Sequence, residues 1–234
     1  LQINRKSQKD FVTQADISVE EFLVSRIKKQ YPQHSILGEE SGTHQGNEYR
    51  WIIDPIDGTT SFVYSQPFHC VSIALERSGQ TILAAVNAPV LGELFEAQLS
   101  RGAYLNGQRI KVSDRSALNE SVLATDFFCL QTEQSHNNLP YFNKIAPIAR
   151  GLRIFGSAAL DLCYVASGRL EGFWELGLKI YDIAAGALIL SEAGGKTTDF
   201  LNSPKNLPDE TVATNSLIHK ELTGILTDIK QQIV

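Results

Sequence analysis

Residues 51–62 read WIIDPIDGTTSF, and the way an apolar run gives way to paired carboxylates and a glycine turn decides how the rest of the chain is read. Trp51, Ile52 and Ile53 have the composition of a buried strand. Pro55 cannot donate to a ladder, so the strand is expected to end at Asp54-Pro55. Asp57 comes three residues after Asp54, and Gly58-Thr59-Thr60 makes a turn whose backbone N–H groups can face an anion. A helix starting there would add a favourable field for phosphate. The carboxylates would attract a cation, the cation a phosphate, and the amides would take the remaining phosphate oxygens. Asp-Gly turns also close ordinary strands, so this stretch needs support from elsewhere in the chain.

Two other acidic element ends supply it. Gly38-Glu39-Glu40 follows the short apolar run Ile36-Leu37, and Asp182 sits where an apolar helix is expected to begin. Two like charges 4 Å apart repel by ~4 kcal/mol at an effective dielectric of 20. Four or five converging carboxylates therefore call for a cation. All the candidate donors are oxygens, which favours Mg²⁺ or Mn²⁺ over Zn²⁺. Cys70, Cys129 and Cys163 are scattered, and the five histidines form no H-x-x-x-H pair. Neither a disulfide framework nor a thiolate or histidine zinc site is expected.

Around these ends the periodicity places further elements. Ser18 and Glu21 form a capping box for a helix over 18–30 that turns Val19, Phe22, Leu23, Arg26 and Ile27 inward and stops at Tyr31-Pro32. Thr43–Tyr49 reads as a polar loop. Cys70–Leu75, Thr81–Val86 and Glu93–Ala97 alternate like antiparallel strands, and Asn106-Gly107 is a hairpin turn. Past Asn119 the pattern shifts to a strand at 121–125, a helix near 141–150, a helix over 157–167 stopped by Gly168, and a strand over 172–175. A last helix runs over 183–192, with Asp182 as its N-cap and Gly194-Gly195 as its end. The shift near 115–120 suggests two parts, 1–118 and 119–234.

Composition limits the function classes. The 234 residues carry 21 basic and 26 acidic side chains, a formal net charge of −5, and 43% hydrophobic residues. That is globular composition, and an acidic body attracts neither nucleic acid nor an anionic membrane. No apolar run approaches the ~20 residues of a spanning helix, and no export leader opens the chain, so a cytoplasmic protein is expected. There is no methionine, which leads to the expectation that residues precede Leu1.

DPIDGTTSF, with GEES at 38–41, GAYLNG at 102–107, GSAALDLCYVASGRLEGFWE at 156–175 and YDIAAGALILSEAGG at 181–195, resembles the inositol monophosphatase family of magnesium-dependent, lithium-sensitive phosphatases. Seven fixed positions such as DPIDGTT arise by chance on the order of once in 10⁹ sites, and the wording around Gly156–Ser167 resembles the bacterial branch more than the animal one. The resemblance implies an α+β fold, a layered αβαβα sandwich, usually dimeric. It implies metal ligation by Glu39, Asp54, the Ile56 carbonyl, Asp57 and Asp182, holding two or three Mg²⁺ with Mn²⁺ as a substitute. Thr59 and Asp16, with Glu39, match the groups that prepare the attacking water, and Glu40 would stand behind the metals. Gly58, Thr59 and Thr60 match the phosphate cradle; Gly156, Ser157, Ala158 and Glu175 match the substrate pocket, Glu175 toward a ring hydroxyl. Lys6 lies near the family's phosphate-side lysine, with a spacing that differs by one residue.

Three departures from the family pattern are visible: Ser61 stands where inositol phosphatases usually have asparagine and where relatives acting on histidinol phosphate can have serine, Tyr181 stands where tryptophan is usual, and the family's first helix is expected to precede Leu1. The expected activity is Mg²⁺-dependent hydrolysis of inositol monophosphate or a similar small polyol phosphate by direct attack of a metal-activated water. The alternatives are a sibling phosphatase for histidinol phosphate, a sugar bisphosphate or a 3′-phosphoadenosine nucleotide, and a regulatory protein of the transcription or translation machinery that keeps the fold. Two bound Mg²⁺ would take the formal charge from −5 to about −1.

Overall fold

A computed structural model describes residues 3–5, 11–131, 136–205 and 207–233; Lys6 lies outside them. The chain opens with a small antiparallel pair, β1 (Ile3–Arg5) and β2 (Phe11–Thr13), followed by α1 (Gln14–Gln30). The first large sheet follows: β3 (Ser35–Gly38), β4 (Gly42–His44), β5 (Tyr49–Asp57), then the single-turn α2 (Thr59–Val63). It continues with β6 (Cys70–Arg77), β7 (Gln80–Ala88), β8 (Glu93–Gln98), β9 (Gly102–Leu105) and β10 (Gln108–Ile110). The strands lie in the order β10-β9-β8-β7-β6-β5-β3-β4, antiparallel except for the parallel β3–β5 pair.

A second sheet uses only later residues: β11 (Val122–Thr125), β12 (Gly151–Arg153), β13 (Gly172–Leu176), β14 (Lys196–Thr198) and β15 (Glu210–Thr214), in the order β12-β11-β13-β15-β14. Its helices are α3 (Phe128–Gln131), α4 (Leu139–Ile145), α5 (Ala158–Ala166), α6 (Ile180–Glu192) and α7 (His219–Ile233). Helices α5 and α6 pack on each other and on strands of both sheets, α1 packs against β5, and α7 packs on β15 and α4. The result is an α-β-α-β-α stack, as the family resemblance implies. Period-2 alternation on β13 shows why both faces of the second sheet are covered. Phe173 points into the core shared with Leu160, Leu162 and Ile189, while Trp174 points into the outer core with Tyr141, Phe200 and Leu226.

Several boundaries differ from the sequence reading, each for a local reason. Helix α1 starts four residues before Ser18, because Thr13 and Asp16, not Ser18 and Glu21, form the capping box. Its expected inward stripe is only partly so: Phe22 is 56% exposed, and the buried residues are Asp16 and Glu20. Part of the expected loop at 43–49 is β4, paired with β3. The helix near 141–150 stops at Ile145. Helix α6 begins at Ile180, so Asp182 is in its first turn rather than its N-cap. Elements β14, β15 and α7 lie outside what the sequence reading predicts, although Leu222, Leu226 and Ile229 mark a buried helical stripe in α7.

The most consequential difference concerns Pro55. The strand does not end there; β5 continues to Asp57. Asp54 pairs with Ser72 and Asp57 with Cys70, so three steps on β5 match two on β6. That is a bulge, the one place within a sheet that tolerates proline. Residues three apart on a regular strand face opposite sides. The extra residue cancels that offset and brings both aspartates to one side.

Candidate active site

Where the bulged end of β5 meets the N-terminal ends of α5 and α6 there is a cleft of about 330 Å³. Glu39, Asp54, Asp57 and Asp182 line it, with Ile56 among them. Gly58, Thr59 and Thr60 border it on one side and Gly156, Ser157, Ala158 and Glu175 on another. A larger hollow of about 810 Å³ lies on the first sheet beside Trp51, Leu83 and Tyr104, and among the described residues Glu96 is its one lining carboxylate. Two residues singled out in the sequence, Asp16 and Glu40, do not line the cleft.

The carboxylates are held in place by backbone and hydroxyl donors. Ser157 Oγ donates to Asp57 Oδ2 at 2.6 Å and the Ala159 N–H donates to the same oxygen at 2.7 Å. Ser157 is also the N-cap of α5, its hydroxyl oxygen accepting from the Leu160 N–H at 3.4 Å while its proton goes to Asp57. The Lys179 N–H donates to Asp182 Oδ2 at 2.6 Å, the capping interaction that aims this carboxylate. Asp54 is 2% exposed, and its Oδ1 has no hydrogen-bond partner among the described residues. Burial, reinforced by Asp57, Glu39 and Asp182, pushes the Asp54 carboxyl well above the usual carboxylate range. Asp182 is driven the same way by burial and by Asp57. Burial lifts Asp57 to about 6, against the pull of Ser157 and Ala159.

This imbalance is a test of fit for a cation. An orphaned buried carboxylate oxygen facing three further carboxylates is expensive unless a positive charge compensates it. The donors are all oxygens, which suits a hard divalent ion. Among the described residues no three His, Cys, Asp or Glu side chains close into a finished cage; the carboxylates ring an open space.

The turn after Asp57 is glycine-dependent. Gly58 has φ +90°, and a Cβ there would lie 2.7 Å from the Phe68 carbonyl oxygen. The first helical bond, Phe62 N–H to Gly58 O, spans 3.0 Å, so the N–H groups of the preceding turn have no intrahelical acceptor. Thr59 Oγ1 lies 3.1 Å from the Ile56 carbonyl oxygen and 3.4 Å from Asp16 Oδ1. The other Asp16 oxygen accepts from the Thr13 N–H at 2.8 Å and from its hydroxyl at 2.6 Å. Asp16 therefore caps α1 with one oxygen and faces Thr59 with the other.

The structure adds residues that the sequence reading missed. Asp126, Gly177, Leu178 and Lys179 line the cleft, and so does Tyr181. Asp126 follows β11 directly, a carboxylate at a strand end like those already noticed, so the same signal was available. Glu20 is 1% exposed and accepts from the N–H groups of Glu40 at 2.9 Å and Ser41 at 2.7 Å. It braces the turn that carries Glu39, a long-range role that helical periodicity does not reveal. Ser61, by contrast, is buried behind Gly156 with its hydroxyl 3.5 Å from the Phe155 carbonyl oxygen, and it does not line the cleft.

Known proteins resemble this chain in sequence and in fold. The Nus factor SuhB of Pseudomonas aeruginosa is 42% identical over 229 residues, covering 95% of this chain and 84% of its own. An inositol-1-monophosphatase of Mesorhizobium japonicum is 39% identical over 225 residues, covering 95% and 85%. The solved inositol monophosphatase from Anabaena (Nostoc) superimposes with a TM-score of 0.89 at 42% identity, covering 93% of this chain and 87% of that one. The sequence profile of the inositol monophosphatase family matches residues 1–233. With that match running over nearly the whole chain, this chain belongs to the inositol monophosphatase family.

Proposed function

We propose that this chain is a divalent-cation-dependent phosphomonoesterase acting on a small hydroxylated organic phosphate, with inositol monophosphate the first compound to try. The observation that carries this reading is the convergence of Glu39, Asp54, Asp57 and Asp182 beside the Gly58–Thr60 turn. The carboxylates and the Ile56 carbonyl would hold Mg²⁺, which when bound supplies neutralisation of phosphoryl charge and a lowered pKa for water.

The chain's own groups do the rest. Backbone N–H groups of the Gly58–Thr60 turn hold the phosphoryl oxygens. Thr59 Oγ1 accepts a hydrogen bond from the attacking water while its own proton turns to Asp16 Oδ1, now 3.4 Å away. General acid–base help of this kind contributes about 10²–10⁴. The ester P–O bond breaks, the water oxygen joins phosphorus, and its proton ends on the departing alcohol. Glu39, Asp54, Asp57 and Asp182, the carboxylates beside the Gly58–Thr60 turn, are committed to the cation in this reading, which leaves water as the nucleophile.

The test is phosphate release with Mg²⁺ from inositol 1-phosphate, a sugar bisphosphate, 3′-phosphoadenosine 5′-phosphate and histidinol phosphate. Release from none of them would defeat the enzyme reading. The name Nus factor borne by a 42% identical relative supports a second role, a regulatory contact with transcription machinery. The Asp54→Asn variant separates the two: it loses phosphatase activity and keeps any such contact.

A further inference from the structure

One wall of the cleft is built from the ends of two strands, and a single buried amide ties those ends together. Strands β11 and β13 are parallel neighbours, with Thr125 opposite Trp174. The residues that follow them, Asp126 and Glu175, line the cleft. Trp174 itself points the other way, into the outer core. Asn138, just ahead of α4, meets both strand ends on that outer side, and Asn138, Thr125 and Trp174 are all fully buried.

The bonds among these three side chains close into a ring. Trp174 Nε1–H donates to Asn138 Oδ1 at 2.7 Å. Asn138 Nδ2 donates to Thr125 Oγ1 at 2.6 Å and to the Asp126 carbonyl oxygen at 2.5 Å. Thr125 Oγ1 in turn donates to the Trp174 carbonyl oxygen at 2.7 Å. An indole N–H can only donate and a carbonyl oxygen only accept, so the amide has one orientation that satisfies the ring. Asn138 does this at the expense of the helix it introduces. An asparagine at an N-cap usually accepts from N–H groups of the first turn. Asn138 is the N-cap of α4 yet makes no side-chain capping bond, and the Leu139 N–H goes to Asn137 Oδ1 at 3.1 Å. A buried and satisfied network of this kind holds one arrangement, because a shift of either strand end would leave a polar group unpaired away from water.

We propose that Asn138 is a positioning residue for substrate: by joining the ends of β11 and β13 it fixes the wall against which the part of the molecule beyond the phosphate lies. This rests on the phosphomonoesterase reading and adds to it. None of Asn138, Thr125 and Trp174 lines the cleft, so the effect passes through the backbone of residues 126 and 175. The carboxylates that would hold the cation sit on or beside β3, β5 and α6, and the phosphate cradle follows β5. Loosening the strand ends should therefore disturb the grip on the organic part of the substrate and spare the phosphate and the cation.

Asn138→Ala, which removes all three of its side-chain bonds, tests this. With inositol 1-phosphate and saturating Mg²⁺, KM should rise about fivefold or more while kcat stays within about twofold, the mark of binding lost equally from ground and transition states. Inorganic phosphate, which needs only the cradle and the cation, should inhibit parent and variant alike, and the Mg²⁺ requirement should not move. Trp174→Phe, which removes only the indole donor, should shift KM in the same direction, and it carries the test where Asn138→Ala fails to fold. A lower Tm with an unchanged KM overturns the positioning role. So does a rise in KM matched by weaker phosphate inhibition or a higher Mg²⁺ requirement. If the parent releases no phosphate from inositol 1-phosphate, that reading falls separately, and hydrogen exchange decides the role of Asn138. Faster exchange in the variant at residues 123–127 and 173–177, with 52–60 unchanged, supports the tie between the strand ends, and equal exchange overturns it.

Discussion

Removing the acceptor at Glu20 tests whether the metal-side turn is held from below. The Glu20 carboxylate, buried on α1, accepts from Glu40 N–H at 2.9 Å and Ser41 N–H at 2.7 Å. A Cβ on Gly38 would run into it, so the side chain has no room to re-aim. In Glu20→Gln one acceptor survives and the new NH₂ opposes an N–H. Hydrogen bonds to a charged group contribute about 1.5–3 kcal/mol each. Residues 40 and 41 are partly exposed, and water recovers some of the loss, which puts the cost near 2 kcal/mol. For a domain of this size that lowers Tm by roughly 4–8 °C. Because the turn carries Glu39, the Mg²⁺ needed for half-maximal phosphate release should rise about tenfold, as loss of groups supporting metal ligands commonly does. Excess Mg²⁺ should then restore kcat. Melting scans and Mg²⁺ titrations of parent and variant measure both effects. A variant with the parent's Tm and Mg²⁺ requirement would refute the bracing role of Glu20.

Asp54→Asn replaces a buried carboxyl whose Oδ1 has no hydrogen-bond partner among the described residues and which burial drives toward its neutral form, so the metal-free variant should melt no lower than the parent, while its Mg²⁺-induced rise in Tm shrinks and phosphate release is lost at any Mg²⁺ concentration. For pH, the folded-state pKa of Asp57 is about 6, above the value near 3.9 of an unfolded chain. Folded protein therefore holds more protons between these values, and its stability is greatest at the acid end and is lost as pH rises through about 6. Asp54 and Asp182 are shifted in the same direction. Urea midpoints of chelator-treated protein should fall between pH 5 and pH 8, and Mg²⁺ should flatten the slope; a metal-free midpoint that climbs with pH contradicts the assignment. Gly58→Ala places a side chain at φ +90° against the Phe68 carbonyl. It should cost about 1–3 kcal/mol in urea unfolding and reduce phosphate release, and an unchanged midpoint would show that the turn relaxes freely.

Much of this molecule is written locally. The strands of the first sheet follow from alternation, the β9–β10 hairpin from Asn106-Gly107 with both residues at positive φ, and α5 from Ser157 and Gly168. Fixed short spacings bring Asp54, Asp57 and the Gly58 turn together, so their motif was legible without coordinates. Ser61 shows the opposite limit: the motif letter differs there in a way that bears on substrate identity, yet the residue does not line the cleft and lies behind Gly156. Residue type was visible there and orientation was not.

What sequence by itself determined was the identity of the chemistry: oxygen donors, a glycine turn and their order along the chain, because each depends on residues a few positions apart. Tertiary structure alone decided three things. The bulge across Pro55 put two aspartates on one side, which requires knowing that three steps on β5 face two on β6. Glu20 came under the Glu39 turn from a helix some twenty residues away. Parallel pairing of β11 with β13 set Asp126 beside Glu175 across 49 positions of sequence. Contacts of that separation depend on register and packing, which local letters do not encode.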